Sequence, residues 1–275
     1  MKQPRFDPEV CHRAFRAKVA AIHGWSPETG RLDGRQLFYL QLLHENGLLQ
    51  PGKHLVDLGA GASTFGPVAR ALGMEVTIAD DFAGGCGEVE LEHPDKKRQL
   101  LAGWKDQLGI RVLEGDILTQ PLGLETASVD VVTSINSLEH WHHSPKRLFR
   151  EIVRVLKPRG HLILVTPNAA NLRKRFDALR GRNIWDRLEW WYHDGDPVFR
   201  GHVREPIIAD LRQLMEWNNI EPIAVHGRNF LGRYSKALEF IPPRLLESGV
   251  MGVDRLLRFF PTLCSDIHVV GRKCA

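Results

Sequence analysis

The chain has 275 residues, 43% of them hydrophobic and 25% charged, and carries a net charge of +4. That is the composition of an ordinary soluble globular protein, long enough for one large domain, and the mild charge gives no argument for nucleic acid as a partner. No apolar run approaches the roughly 20 residues needed to span a bilayer, and no internal repeat or low-complexity tail is present. Cys11, Cys86, Cys264 and Cys274 are scattered without C-x-x-C spacing, so neither a disulfide framework nor a zinc site is indicated and a reduced, cytoplasmic setting is expected. The opening MKQPRFDPEVCHRAFRAK is charged and interrupted by prolines, and does not read as a signal peptide.

Residues 8–23 and Arg35–Asn46 place apolar side chains at helical spacing, which predicts two amphipathic helices within residues 1–50, packing on or capping the core. Tyr39 and Arg35 are the residues that would serve a lid. The stretch Lys53–Gly66, KHLVDLGAGASTFG, is a short apolar run ending in a glycine pair, and it predicts a buried parallel strand turning into a helix near Ser63 or Thr64. Gly59 and Gly61, with Ala60 between them, let a ligand approach the main chain closely.

Which ligand is argued from charge. A dinucleotide fingerprint G-x-G-x-x-G sets a pyrophosphate on the helix N-terminus, but here Thr64 replaces the third glycine. Asp57, two residues ahead of Gly59, would repel a diphosphate and welcome a cation. The pattern Asp57, Gly59, Gly61 resembles motif I of the class I S-adenosylmethionine-dependent methyltransferases, whose cofactor carries an ammonium and a sulfonium; Ser63 stands where that family often has a further glycine.

A helix over residues 64–72, ending at Gly73, leads to a strand over Glu75–Ala79. Asp80 ends that strand, 23 positions after Asp57, where a carboxylate can accept both ribose hydroxyls. Gly84, Gly85 and Gly87 suggest a mobile loop, Asp95–Leu108 a surface helix, and Ile110–Leu113 a third strand. Asp116 beyond it can accept from the adenine amine, with Ile117 against the ring. Ser128–Asn168, SVDVVTSINSLEHWHHSPKRLFREIVRVLKPRGHLILVTPN, is similar to the family's run from fourth to fifth strand. The resemblance, over roughly residues 50–170, implies an α/β doubly wound, seven-stranded, mostly parallel sheet, with Asn136 against the methionine part of the cofactor. Arg159 departs from it, standing where the family usually has a glycine.

Residues 51–275 are thus expected to form a methyltransferase domain with two insertions. The first, residues 169–204, holds eight Lys and Arg against five acids, interleaved with Phe176, Trp185, Trp190, Trp191 and Tyr192, and reads as a cap over the acceptor pocket. The second, residues 229–262, is apolar and helical in parts, with core the favoured place for Leu238, Phe240, Ile241, Leu245, Leu246, Leu256, Leu257, Phe259 and Phe260. SDIHVVGRK at 265–273 is the closing antiparallel strand.

A hydroxyl acceptor must lose a proton, and His140 is the first candidate base, with His143 and His202 behind it. Some ubiquinone-pathway members hold a metal with E-x-x-E-H at this place; here Asn136 replaces the first glutamate ahead of Glu139 and His140. The expected reaction is O-methylation of a sugar or phenol-type hydroxyl on a small, lipid-linked or nucleotide-linked metabolite, with peripheral membrane contact for a glycolipid acceptor. The alternatives are a cofactor-binding module without catalysis and a nicotinamide-dependent oxidoreductase.

Overall fold

A computed structural model describes residues 5–83, 93–193, 199–230, 252 and 254–275. Seven strands follow the order β3-β2-β1-β4-β5-β7-β6, with β1 at His54–Leu58, β2 at Glu75–Asp80, β3 at Arg111–Glu114, β4 at Val129–Ile135, β5 at Leu156–Pro167, β6 at Ile220–Arg228 and β7 at Asp266–Lys273. β1 pairs in parallel with β2 and with β4, β2 in parallel with β3, and β6 antiparallel with β7. The chain divides into two compact units, residues 1–135 with 143–162 and 275, and residues 136–142 with 163–274.

In the first unit, α1 (Pro8–Ala14) starts where Asp7 accepts from the Glu9 N–H, and α2 (Gly34–Glu45) where Asp33 accepts from the Gln36 N–H. Tyr39 is 4% exposed and meets Phe65 edge-on at 6.0 Å, so it packs the core and is no lid residue. Leu55, Val56 and Leu58 of β1 and Val129, Val131 and Val132 of β4 are buried, as the continuous apolar runs of a two-faced parallel sheet demand. α3 (Phe65–Ala71) starts after Thr64, whose side chain makes no capping bond, and Gly73 follows the helix with φ 103°, a conformation that suits glycine. α4 (Pro94–Ala102) and the wide turn Gly103–Gln107 bury Leu100, Leu101 and Trp104, so the predicted surface helix has an inward face. Asp130 binds Lys53 at 2.8 Å, Lys157 at 2.7 Å and the His54 N–H at 3.0 Å. α5 (Lys146–Val155) runs directly into β5, and Arg159 lies inside that strand with φ 63°, strained for any residue with a Cβ.

In the second unit, α6 (Leu172–Leu179) is capped by Asn171, whose side chain accepts from the Lys174 N–H. α7 (Leu188–His193) buries none of its residues: Trp191 is 59% and Tyr192 73% exposed, and Trp185 and Phe176 are also exposed. The expectation of aromatic walls in the first insertion is therefore corrected, because these rings face solvent. α8 (Ile208–Glu216) precedes β6. Leu238, Phe240, Ile241, Leu245 and Leu246, like Gly84, Gly85 and Gly87, lie outside the described residues. Leu256, Phe259 and Phe260 are exposed, which corrects their assignment to the core. Among the described residues no helix is long and apolar enough to cross a membrane.

Candidate active site

β1 ends in a turn that only glycine makes cheaply, with Gly59 at φ 65° and Gly61 at φ 52°. The Gly59 N–H donates to the Ala79 carbonyl at 2.8 Å, and the Gly61 N–H to Asp80 Oδ2 at 2.8 Å. Asp80 also accepts from the Phe82 N–H, so its carboxylate braces the turn from the end of β2. Burial pushes the Asp80 pKa up, against the pull of those two backbone donors. Ala60 is buried within this turn. A cleft beside it is lined by Arg31, Gln36, Ser63 and Thr64, and Gln36 Oε1 is a buried acceptor with no partner among the described residues.

Asp57 is placed otherwise than its charge suggested. It is 1% exposed, and its Oδ1 accepts from the Thr133 hydroxyl at 2.7 Å. Burial raises its pKa to about 7, over the lowering effect of Thr133. The expected negative floor at the ligand's polar end is therefore corrected: strand alternation turns this carboxyl into the sheet, towards β4. Asp116 is half-buried and closes its own turn, accepting from the Leu118 N–H at 2.9 Å and the Thr119 hydroxyl at 3.0 Å, with Ile117 half-buried beside it.

The second unit gathers a separate set of polar groups. Asn136 takes φ 49°, its N–H donates to the Val165 carbonyl at 2.9 Å, and its Oδ1 is buried without a partner among the described residues. Glu139, on the single turn Leu138–His140, is 1% exposed; its Oε2 accepts from the Thr166 hydroxyl at 3.1 Å while Oε1 has no partner among the described residues. Burial pushes the Glu139 pKa up to about 7. The His140 and His202 rings meet edge-on, 4.9 Å between centroids. His140 Nδ1 bonds the Arg200 carbonyl at 2.7 Å, which makes Nδ1 the donor and leaves the lone pair on Nε2. His202 Nδ1 bonds Glu205 Oε1 at 2.8 Å, and Lys174 Nζ bonds the other oxygen of Glu205. Burial lowers the His140 pKa; for His202 burial is outweighed by Glu205, Glu139 and Asp186, and the pKa rises. His143 is exposed and is not part of this cluster.

A protein-family profile described as "Methyltransferase domain" matches residues 32–225. The chain belongs to the class I S-adenosylmethionine-dependent methyltransferase family. Over 189 residues this methyltransferase domain is 28% identical to "Probable methyltransferase PMT7" of Arabidopsis thaliana, covering 62% of the chain and 28% of that protein, so the chain spans little more than a quarter of its relative's length. Among solved structures it is similar in fold to a putative sarcosine dimethylglycine methyltransferase from Galdieria sulphuraria, with TM-score 0.54, 18% identity and coverage of 87% and 85% of the two chains. A SAM-dependent methyltransferase from Archaeoglobus fulgidus is similar at TM-score 0.51 and 14% identity, over 87% and 95% of the chains.

S-adenosylmethionine is the cofactor of this methyltransferase domain, and its residues fit that group. The glycine turn leaves main chain open to close approach, and Gln36 offers a buried, unpartnered acceptor beside it, as a cationic amino-acid tail needs. The sequence reading missed Gln36, Thr133, Lys174 and Glu205. His202 and Glu205 are three residues apart, a spacing that pairs side chains in a tight turn and was the one signal available for them.

Proposed function

We propose that this methyltransferase transfers a methyl group to a hydroxyl of a small molecule, of the sugar or phenol class, free or linked to a lipid or nucleotide. The observation that carries the reading is the cluster of buried Glu139 with half-buried His140 and His202, since a hydroxyl must lose a proton to be methylated and an amine acceptor needs no such group once neutral. When bound, S-adenosylmethionine supplies an electrophilic methyl carbon on a sulfonium, transferred by in-line displacement.

The residues of the chain hold and align. In this reading Gly59, Ala60 and Gly61 present main chain to the cofactor, Asp80 orients its ribose, and Asp116 and Ile117 frame the adenine; Asp57 supports the turn from inside β1. Gln36 is the acceptor for its amino-acid end, a role that its unpaired oxygen supports, and the resemblance gives Asn136 a contact with the methionine part. His140 and His202 bind the acceptor hydroxyl with Glu139 and promote loss of its proton. His143 is exposed and lies outside the Glu139 cluster. The first insertion acts as the acceptor cap, supported by its fold onto the Glu139 turn: the Val203 N–H donates to the Glu139 carbonyl at 2.8 Å.

The test is incubation of the purified chain with methyl-labelled cofactor and panels of catechols, sugars and amines, followed by identification of the labelled bond. Label in an ether supports the reading. Label in an amine, or none although S-adenosylhomocysteine binds, overturns it.

A further inference from the structure

We infer that the exposed arginines and apolar side chains of α6, α7 and residues 256–260 form a surface that docks on an anionic lipid bilayer. α6 serves two environments at once. Lys174 is its buried side, and at about 100° per residue Phe176 and Leu179 stand opposite, both exposed, Leu179 to 84%. Arg173 and Arg180 lie on one flank of that apolar pair and Arg175 on the other, all three exposed.

Two further stretches extend this surface. Arg175 Nη2 donates to the Thr262 carbonyl at 3.2 Å, which ties α6 to the chain just past residues 256–260. There Leu256, Phe259 and Phe260 are exposed, and the Arg258 guanidinium lies 5.5 Å from the Phe259 ring. After α6 the chain folds back through the Arg182 N–H, which donates to the Asp177 carbonyl at 2.8 Å. α7 then carries exposed Trp190, Trp191 and Tyr192, with Arg187 5.8 Å from the Trp190 ring. Soluble chains rarely leave so many rings and leucines bare on neighbouring elements, and such a surface marks a partner.

Charge identifies the partner. Arg173, Arg175, Arg180, Arg182 and Arg187 are exposed along residues 172–193, where Glu189 is the exposed acid and Asp177 and Asp186 are half-buried. Arg255 and Arg258 are exposed on residues 254–260, whose acid, Asp254, is buried and paired with Arg228 at 3.0 Å. Among the described residues of this surface, seven exposed guanidinium groups thus stand against one exposed carboxylate. A second copy of the chain would bring like charges together, which opposes association through this face. Single-stranded nucleic acid also takes arginines and rings, but Leu179, Leu188 and Leu256 give bases no aromatic face to stack on. A bilayer interface accepts every kind of residue present: tryptophan and tyrosine at the headgroup level, leucine and phenylalanine at the acyl boundary, arginine on anionic headgroups. With eight and six residues, α6 and α7 suit lying on a leaflet and not spanning it. Asp186 accepts from the His202 N–H at 2.9 Å and the Val203 N–H donates to the Glu139 carbonyl, so docking carries the Glu139 cluster with it towards hydroxyls borne on lipids. That consequence rests on the reading of the cluster as the acceptor site; the docking does not.

The experiment sediments the full chain with vesicles of phosphatidylcholine alone and with vesicles containing about one quarter phosphatidylglycerol, and reads the bound fraction and the tryptophan emission. Binding to the anionic vesicles at least about 10-fold tighter than to the neutral ones, with a blue shift of the emission, is the expected result. The double variants Arg180→Glu with Arg258→Glu, and Leu179→Ser with Trp191→Ser, are each expected to weaken it about 10-fold or more. All four positions are exposed, and circular dichroism checks that each variant folds. No vesicle binding, equal binding to both vesicle kinds, or binding that neither double variant weakens overturns the inference. So does tighter binding of a single-stranded RNA oligonucleotide than of the anionic vesicles, or a dimer in sedimentation equilibrium that the Leu179→Ser, Trp191→Ser variant abolishes. Ether formation from a soluble catechol, measured on the unsubstituted chain, separates the two readings: vesicle binding without it leaves the docking surface standing and removes the hydroxyl reading, while ether formation without vesicle binding does the reverse.

Discussion

His202 donates through Nδ1 to Glu205 at 2.8 Å, and Glu205 shares its other oxygen with buried Lys174. Burial works to raise the Glu205 pKa, but the hydrogen bonds from His202 and Lys174 hold it below the usual range. In the proposed reading Glu205 is thus a positioning residue, since what it contacts is the His202 ring and Lys174, and it sets the orientation of that ring.

Glu205→Gln keeps the hydrogen bond and removes the charge. Methyl transfer is expected to fall about 10- to 100-fold in kcat, with S-adenosylhomocysteine affinity unchanged within about twofold. A parallel loss of cofactor affinity in calorimetry would show a general structural role instead.

Asp80 gathers the Gly61 and Phe82 N–H groups, so Asp80→Ala leaves two donors unpaired and loosens the turn. S-adenosylhomocysteine binding is expected to weaken at least about 10-fold, and Asp80→Asn, which keeps one acceptor, to weaken it less. Equal affinities for wild type and Asp80→Ala remove Asp80 from the cofactor set.

Asp57 is a carboxyl whose folded pKa is raised to about 7. Between its ordinary value near 3.9 and pH 7, the unfolded chain ionises while the folded chain keeps the proton, so folded stability falls as pH rises through that window. Asp57→Asn removes this dependence and still accepts from Thr133. Its melting temperature is expected to match wild type near pH 4 and to exceed it at pH 8, by roughly 2–6 °C. A variant that melts lower at pH 8 contradicts the buried, protonated state.

Asp130 has the opposite sign. Burial acts to raise its pKa, but the His54 N–H and the Lys157 and Lys53 ammonium groups bring it down to about 2. Its stabilisation is present above about pH 4 and is lost as pH falls towards 2. Because both lysines are half-exposed, Asp130→Asn is expected to cost about 1 kcal/mol at pH 7 in low salt and less in high salt. Urea melts at two salt concentrations check it; a salt-independent loss points to the backbone bond alone.

Much of the fold was legible in the chain because its signals are local. The run from His54 to Gly61 announces a buried strand and a turn through a short apolar run and two glycines, and both form where expected. The strands at 129–135 and 156–167 likewise write their burial into consecutive apolar residues, while Arg159 shows the limit, since a positive φ inside a strand leaves no mark except a missing glycine. Exposure of Trp191 and Tyr192 escaped the reading because composition tells how apolar a ring is and not what covers it.

By itself the sequence determined the strand–turn–helix at Gly59, the acid at the end of β2 and the family to which they point, all carried by residues close together along the chain. Tertiary structure alone decided that Asp57 turns inward to Thr133, 76 positions away, and that His140 meets the carbonyl of Arg200, 60 positions away. Hydrogen bonds and burial depend on distance in space, and two segments that far apart in sequence carry no local pattern that reveals they will touch.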